Sequence, residues 1–333
     1  MQIRRTFAVL AAGLALTACG TTEEAADSAQ DPTAQEPGAQ PAYADGPVTL
    51  TDARGAHVSL DAPATEVVAL EWNAVEHLVS LDVMPVGAAD VEGYNNWVSV
   101  EPLDDSVTDV GVRGEPSAET IGGLGPDLIV TTTDYEASVT ADFEERGIAV
   151  LVLESADASR GIEQMRENLE LVAEATGTQE RAARLLADFD KKLAQGRAAV
   201  EKAGAAGDPF FMTDGYLTGG QLSIRPYAEG SLLSDTFEKL GLRNAWQQEG
   251  DQMYGLSSTD VEGLTALPDD VTFLYMANGA DDPFADGLQG NDIWESFEFV
   301  QDGDVHRLPD GLWMFGGPTS MGAFVDAVID VMA

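Results

Sequence analysis

The sequence predicts an α/β protein of two Rossmann-like lobes joined by a single long α-helix, with a ligand cleft between them. Two stretches show short, continuous apolar runs alternating with helical patterns, the sign of strands buried on both faces of a mostly parallel sheet. One uninterrupted run of helix formers, Gln179 to Ala203, separates those stretches. The 333 residues are 44% hydrophobic and 23% charged, which supplies chain and apolar content for two cores and sets aside fibrous and wholly disordered chains.

Residues 1–18 carry Arg4 and Arg5, an apolar run from Phe7 to Leu16, and small residues before Cys19, the features of an export signal. The apolar run is about ten residues, half of what a membrane-spanning helix needs. Leu16-Thr17-Ala18-Cys19 resembles the bacterial lipobox, so Cys19 is the expected lipidated N-terminus. The mature chain is then exported and anchored by lipid to the outer face of the cytoplasmic membrane. Arg4-Arg5-Thr6-Phe7 suits either the general or the twin-arginine route. Residues 19–47 are Thr, Glu, Ala, Asp, Gln, Pro and Gly with almost no large apolar side chain. Such a segment cannot offset the entropy lost on ordering, and it reads as a flexible tether.

The N-terminal lobe is assigned to residues 48–160. Val48–Leu50 and His57–Leu60 flank the turn signal Asp52-Ala53-Arg54-Gly55, which predicts a hairpin. Apolar runs at Glu66–Leu70, Val83–Ala88, Asp127–Thr131 and Ile148–Leu153 read as buried strands, with helices over Trp72–Leu81 and Ser138–Arg146. A helical region follows over residues 161–204. Gly161–Thr176 is one helix, Gly177 breaks it, and Gln179–Ala203 forms the spine with a buried stripe of Ala182, Leu185, Leu186, Phe189 and Leu193. The C-terminal lobe, residues 205–333, repeats the alternation. Strands are expected at Phe210–Thr213, Val271–Met276 and Asp304–Arg307, and helices at Ser231–Leu240, Asp292–Phe297 and Thr319–Met332.

Charge narrows the partners. Seventeen Lys and Arg against 58 Asp and Glu give a net charge of −41, and loss of Arg4 and Arg5 with the signal takes it to −43. Such a surface repels phosphate backbones, so nucleic acid is excluded as a partner. One cysteine excludes a disulfide framework and any cysteine-based cluster. His57, His77 and His306 form no pair at metal-ligand spacing. The acidic segment Asp281-Asp282-Pro283-Phe284-Ala285-Asp286-Gly287 lacks the alternation of a calcium loop and reads as a solvated loop. No Gly-x-Ser-x-Gly, phosphate loop or His-Glu-x-x-His occurs, so an enzyme is not expected, a secreted hydrolase being the remote alternative.

Four strings are more specific than their strands. They are Val67-Val68-Ala69-Leu70-Glu71-Trp72 with Val75-Glu76; Trp97-Val98 and Asp109-Val110-Gly111-Val112-Arg113-Gly114-Glu115-Pro116-Ser117; Pro126-Asp127-Leu128-Ile129-Val130; and Asn244-Ala245-Trp246. Together they resemble the ferric hydroxamate-binding lipoproteins of siderophore ABC importers, substrate-binding proteins of the class III periplasmic fold. The resemblance runs from Val67 to the C-terminus. It implies that Arg113 and Tyr135 donate to hydroxamate oxygens, and that Trp97, Tyr254 and Trp313 line the cleft, although each of the three is equally suited to the core. Tyr94 and Tyr216 are further aromatic candidates. Arg225, in Ser223-Ile224-Arg225-Pro226, either faces the ligand or lies on the surface.

The resemblance also implies the partners: a ferric siderophore as ligand, no intrinsic cofactor, and an ABC permease. Acidic rim residues meet permease arginines in this family, and the candidates are Glu136, Asp142 and Glu144 on the first lobe with Asp260 and Glu262 on the second. The protein is expected to act as a monomer. Outside the signal and the stretch from Arg160 to Lys202, seven cations remain: Arg54, Arg113, Arg146, Arg225, Lys239, Arg243 and Arg307. Only Arg113 and Arg225 suit the cleft, too few for a multiply anionic ferric catecholate or citrate, because an uncompensated buried charge costs several kcal/mol. A neutral or cationic ferric hydroxamate is therefore the expected ligand. Another iron chelate (citrate, a catecholate, haem) or a corrinoid is the alternative.

Overall fold

A computed structural model describes residues 46–279 and 282–332. The export signal, Cys19 and the tether up to residue 45 lie outside the described residues. In the first lobe the elements are β1 (Val48–Thr51), β2 (His57–Leu60), β3 (Val67–Ala69), α1 (Trp72–Ser80), β4 (Gly87–Ala88), α2 (Val91–Trp97), β5 (Thr108–Asp109), β6 (Gly111–Val112), β7 (Glu115–Pro116), α3 (Ala118–Leu124), β8 (Leu128–Thr132), α4 (Glu136–Glu145) and β9 (Ala149–Leu153). Helices α5 (Gly161–Thr176) and α6 (Gln179–Ala203) follow. The second lobe holds β10 (Pro209–Thr218), β11 (Gln221–Pro226), α7 (Leu232–Lys239), β12 (Arg243–Asn244), β13 (Thr272–Tyr275), α8 (Pro283–Leu288), α9 (Asp292–Ser296), α10 (Glu298–Asp302), β14 (Val305–Arg307) and α11 (Pro318–Met332).

The first sheet is wholly parallel in the order β5-β4-β3-β8-β9, and its central strands are buried along their length. That burial is why they appear in the sequence as unbroken apolar runs. The expected strand Val83–Ala88 shrinks to Gly87–Ala88, because Pro85 has no N–H to give a ladder. The second sheet is mixed, in the order β11-β10-β13-β14, with β11 antiparallel to β10 and β12 parallel to its start. Strand β10 continues past Thr213 to Thr218, since the antiparallel partner β11 supplies hydrogen bonds beyond the edge of the parallel sheet. Among the described residues no helix is long and apolar enough to cross a membrane.

The acidic segment that reads as a loop is a correction: Pro283–Leu288 is helical. Asp282 accepts the Ala285 N–H at 2.9 Å and Pro283 occupies the first turn, where an N–H is not needed. Gly177 and Gly204 end α5 and α6 in left-handed conformations with φ of 73° and 84°. Gly196 lets α6 approach the second lobe, since a Cβ there would lie 2.8 Å from both Leu240 and Val325. The largest core cluster includes Val75 and Leu78 of α1, Leu169 of α5, Phe189 of α6, Phe237 of α7 and Phe324 of α11, so apolar packing is continuous through both lobes.

Candidate functional site

Parallel strands deliver their following residues to one end of a sheet, and the cavity forms where those ends face the second lobe. Its volume is about 310 Å³. Glu71 comes from the turn after β3, Asn73 from the first turn of α1, Arg113 from the β6–β7 hairpin, Asp134 and Tyr135 from the turn after β8, and Ser155 from the loop after β9. The second lobe contributes Arg225 of β11, Tyr254, Leu256, Trp313 and Phe315.

Arg113 is held from two sides. Its Nη1 donates to Glu71 Oε1 at 2.9 Å, and its guanidinium carbon lies 4.0 Å from the Trp72 ring centroid and 5.8 Å from that of Trp313. Burial pushes the Glu71 carboxyl up, and the charge of Arg113 works against that shift. The half-buried Tyr135 lines the same wall, and burial followed by the charge of Glu71 raises its phenol.

Across the cavity, Arg225 grips Asp214 on β10 with a fork: Nε donates to Oδ1 at 2.8 Å and Nη2 donates to Oδ2. The buried Tyr227 hydroxyl donates to the same carboxylate at 3.1 Å. Burial works against the Arg225 charge, but hydrogen bonding and attraction from Asp214 outweigh it and raise the guanidinium further. Tyr254 spans the lobes, its hydroxyl donating to Asp134 and its ring meeting Phe315 edge-on at 5.2 Å. Arg113 is thus paired with Glu71 and Arg225 with Asp214, while Asp134 on the lining accepts from Tyr254.

Of the sequence-predicted contacts, Arg113, Tyr135, Tyr254, Trp313 and Arg225 all line the cavity, Arg225 from within β11. Trp97 does not line it. Its half-buried ring packs edge-on against Trp313, with centroids 6.1 Å apart, and supports that wall from behind. Tyr94 is core, with its hydroxyl donating to the Glu101 carbonyl at 2.7 Å. Tyr216 lies near the tip of the β10–β11 hairpin, 57% exposed. Glu71, Asn73, Asp134, Ser155, Leu256 and Phe315 are the additions. Asp134 and Ser155 lie three and two residues beyond the expected strand ends Thr131 and Leu153, and that position is the signal that marks them.

A smaller chamber of about 30 Å³ adjoins the cavity and shares Asn73, Ser155, Tyr254 and Phe315 with it. That space fits one or two waters. Asn73 Oδ1 and His77 Nδ1 are buried at its wall with no hydrogen-bond partner from the protein.

The acidic rim candidates are dispersed. Asp142 pairs with Arg146 at 2.7 Å and Glu144 with Arg54 at 3.0 Å. Asp260 accepts the Gly263 N–H at 3.1 Å, and Glu262 is exposed two residues on. Glu136 begins α4, and its side chain lies outside the described ones. Among the described residues no group of three His, Cys, Asp or Glu is placed to hold a metal ion.

The chain is 30% identical over 260 residues to the iron(3+)-hydroxamate-binding protein FhuD of Escherichia coli, covering 78% of this chain and 84% of that protein. It is 24% identical over 327 residues to the probable siderophore-binding lipoprotein YfiY of Bacillus subtilis, covering 95% and 93%. The fold superposes on the Fe3+–Desferal-bound siderophore binding protein FhuD of Vibrio cholerae with a TM-score of 0.71 and 24% identity, covering 80% of this chain and 97% of that one. The periplasmic binding protein family matches residues 67–312, and the chain belongs to it: a two-lobed substrate-binding protein and not an enzyme.

Proposed function

We propose that the protein is the extracytoplasmic substrate-binding component of an ABC importer, that it captures a ferric hydroxamate siderophore between its lobes, and that it delivers the complex to a permease. The observation that carries this reading is a cavity whose two guanidiniums are already paired with carboxylates and, with two phenols, face an aromatic wall. Ferric iron in such a ligand is already wrapped by six siderophore oxygens, so the protein has only to recognise the outer face of the complex and needs no cofactor of its own. Arg113, Arg225 and Tyr135 supply donors to the ligand oxygens, while Tyr254, Trp313 and Phe315 cover its apolar side. Both guanidiniums already face carboxylates, so a multiply anionic chelate finds no spare positive charge. The similarity to the hydroxamate-binding FhuD of E. coli supports the same ligand class.

A tryptophan-quenching panel tests the ligand. Ferrioxamine B and ferrichrome are expected to quench and saturate, whereas ferric citrate and a ferric catecholate are not expected to displace them. Tighter binding of either anionic chelate overturns the hydroxamate assignment. For the anchor, Cys19→Ala is expected to leave the precursor unprocessed and without a diacylglycerol adduct. Mass spectrometry of membrane and soluble fractions checks this, and an adduct retained in the variant overturns Cys19 as its site. Permease contacts are assigned to Glu136, Asp142 and Glu144 on one lobe and Asp260 and Glu262 on the other.

A further inference from the structure

Helix α1 meets the second lobe along one stripe. Trp72, Glu76 and Ser80 recur at four-residue intervals and therefore share a face. Trp72 packs against Trp313 at 4.8 Å between ring centroids. The Ser80 hydroxyl lies 3.1 Å from that of Thr319. Glu76 lies between them, fully buried. Its Oε1 accepts the Ser320 N–H at 3.0 Å, its Oε2 accepts the Ser320 hydroxyl at 2.8 Å, and the Gly317 N–H also donates to it.

These donors are the first turn of α11. The opening N–H groups of a helix have no partner within it, and a side chain from the preceding residue usually accepts them. Here the preceding residue is Gly317, which has no side chain, and Pro318 opens the helix with no N–H to offer. The space a local cap would use is taken: a Cβ on Gly317 would lie 2.9 Å from His77 Nδ1, and one on Gly316 would lie 2.1 Å from Glu76 Oε2. The two glycines admit Glu76, and Glu76 replaces the missing cap from the other lobe. The chain just before this turn is the cavity wall, Trp313 to Phe315, tied to the turn by the Gly316 N–H donating to the Trp313 carbonyl at 3.1 Å.

We propose that Glu76 is a positioning residue for ligand binding: by capping α11 across the lobe boundary it sets where Trp313 and Phe315 stand in the cavity. The proposal rests on the cavity being the ligand site, and a readout that needs no ligand is therefore paired with one that does. Glu76→Gln keeps an acceptor for the Ser320 N–H, whereas Glu76→Ala leaves that N–H unpaired and opens space beside the two glycines. Leu264→Ala, in a separate core cluster of the second lobe, serves as a destabilised control.

Glu76→Ala is expected to raise the Kd for ferrioxamine B at least about tenfold. It is also expected to diminish the near-ultraviolet circular dichroism of the Trp72–Trp97–Trp313 cluster. Glu76→Gln and Leu264→Ala are expected to keep both signals near wild type. If Glu76→Ala lowers Tm while leaving Kd and the near-ultraviolet spectrum unchanged, or if Leu264→Ala changes both equally, the positioning role is overturned. If wild type does not bind ferrioxamine B, the ligand assignment fails and the near-ultraviolet comparison alone decides the role of Glu76.

Discussion

Arg113→Ala is expected to weaken binding of ferrioxamine B by about 1.5–3 kcal/mol, the range for a hydrogen bond to a charged group, or roughly 10- to 150-fold in Kd. The side chain combines three roles at one place. It presents a planar fork to the cavity, it stacks on Trp72, and it is the partner of Glu71. Removing it leaves Glu71 buried and unpaired, so its carboxyl is expected to titrate higher still. Arg113→Lys separates these effects, because an ammonium keeps a charge for Glu71 but loses the fork and the stacking. It is expected to fall between wild type and Arg113→Ala. Titration by tryptophan quenching gives the Kd, and a parallel thermal melt reports any loss of fold. A Kd unchanged in Arg113→Ala removes this residue from the site.

The second large effect concerns pH. Glu76 and His77 are adjacent, both fully buried, and shifted in opposite directions. Burial pushes the Glu76 carboxyl up from 4.5 to about 7, against the hydrogen bonds from Ser320 and Gly317, with nearby Glu101 adding to the rise. Burial alone draws the His77 imidazole down from 6.5 to about 4. Below pH 4.5 the folded and unfolded chains both hold the Glu76 proton, and its stabilising contribution is complete. That contribution is lost as pH rises toward 7, because the unfolded chain releases the proton first. For His77 the contribution is complete above pH 6.5 and is lost as pH falls toward 4. At 1.36 kcal/mol per pH unit each swing is about 3 kcal/mol, and between pH 4.5 and 6.5 the two slopes nearly cancel.

Single variants should expose what the pair conceals. Relative to wild type, Glu76→Gln is expected to gain stability steadily from pH 4.5 to 7, and His77→Gln to lose it over pH 4 to 6.5. Urea unfolding at half-unit pH steps gives the differences, in which the background from the other carboxylates cancels. A constant offset between variant and wild type across the whole range is the result that sinks this account. Such an offset would mean that neither group changes its proton affinity on folding.

Legibility followed the range of the interactions. Helices α5 and α6 are found at the bounds expected from sequence, because the left-handed glycines that stop them and the apolar stripes that bury them act within a few residues. The strands of the first sheet are legible for the same reason, burial on both faces leaving a run of apolar residues. Helix α8 was legible in principle from Asp282 and Pro283, but its acidic composition masked a start signal. Strand β11 was not, since Gln221–Pro226 is only partly apolar and becomes a strand by pairing with β10.

The cavity divides along the same line. Tyr135 lies a few residues beyond a strand that an apolar run locates, whereas Arg113 lies in the short β6–β7 hairpin; both were picked out by the family resemblance, and the structure places both on the cavity lining. What each side chain touches there was decided by tertiary structure. Glu71 and Arg113 are 42 residues apart, Asp134 and Tyr254 are 120 apart, and Glu76 and Ser320 are 244 apart. Periodicity, breakers and turn residues act over a few bonds, and they determined the βα alternation of each lobe and the long helix Gln179–Ala203 between them. A hydrogen bond between lobes depends on where two independently formed surfaces meet, and only the packed chain determines that.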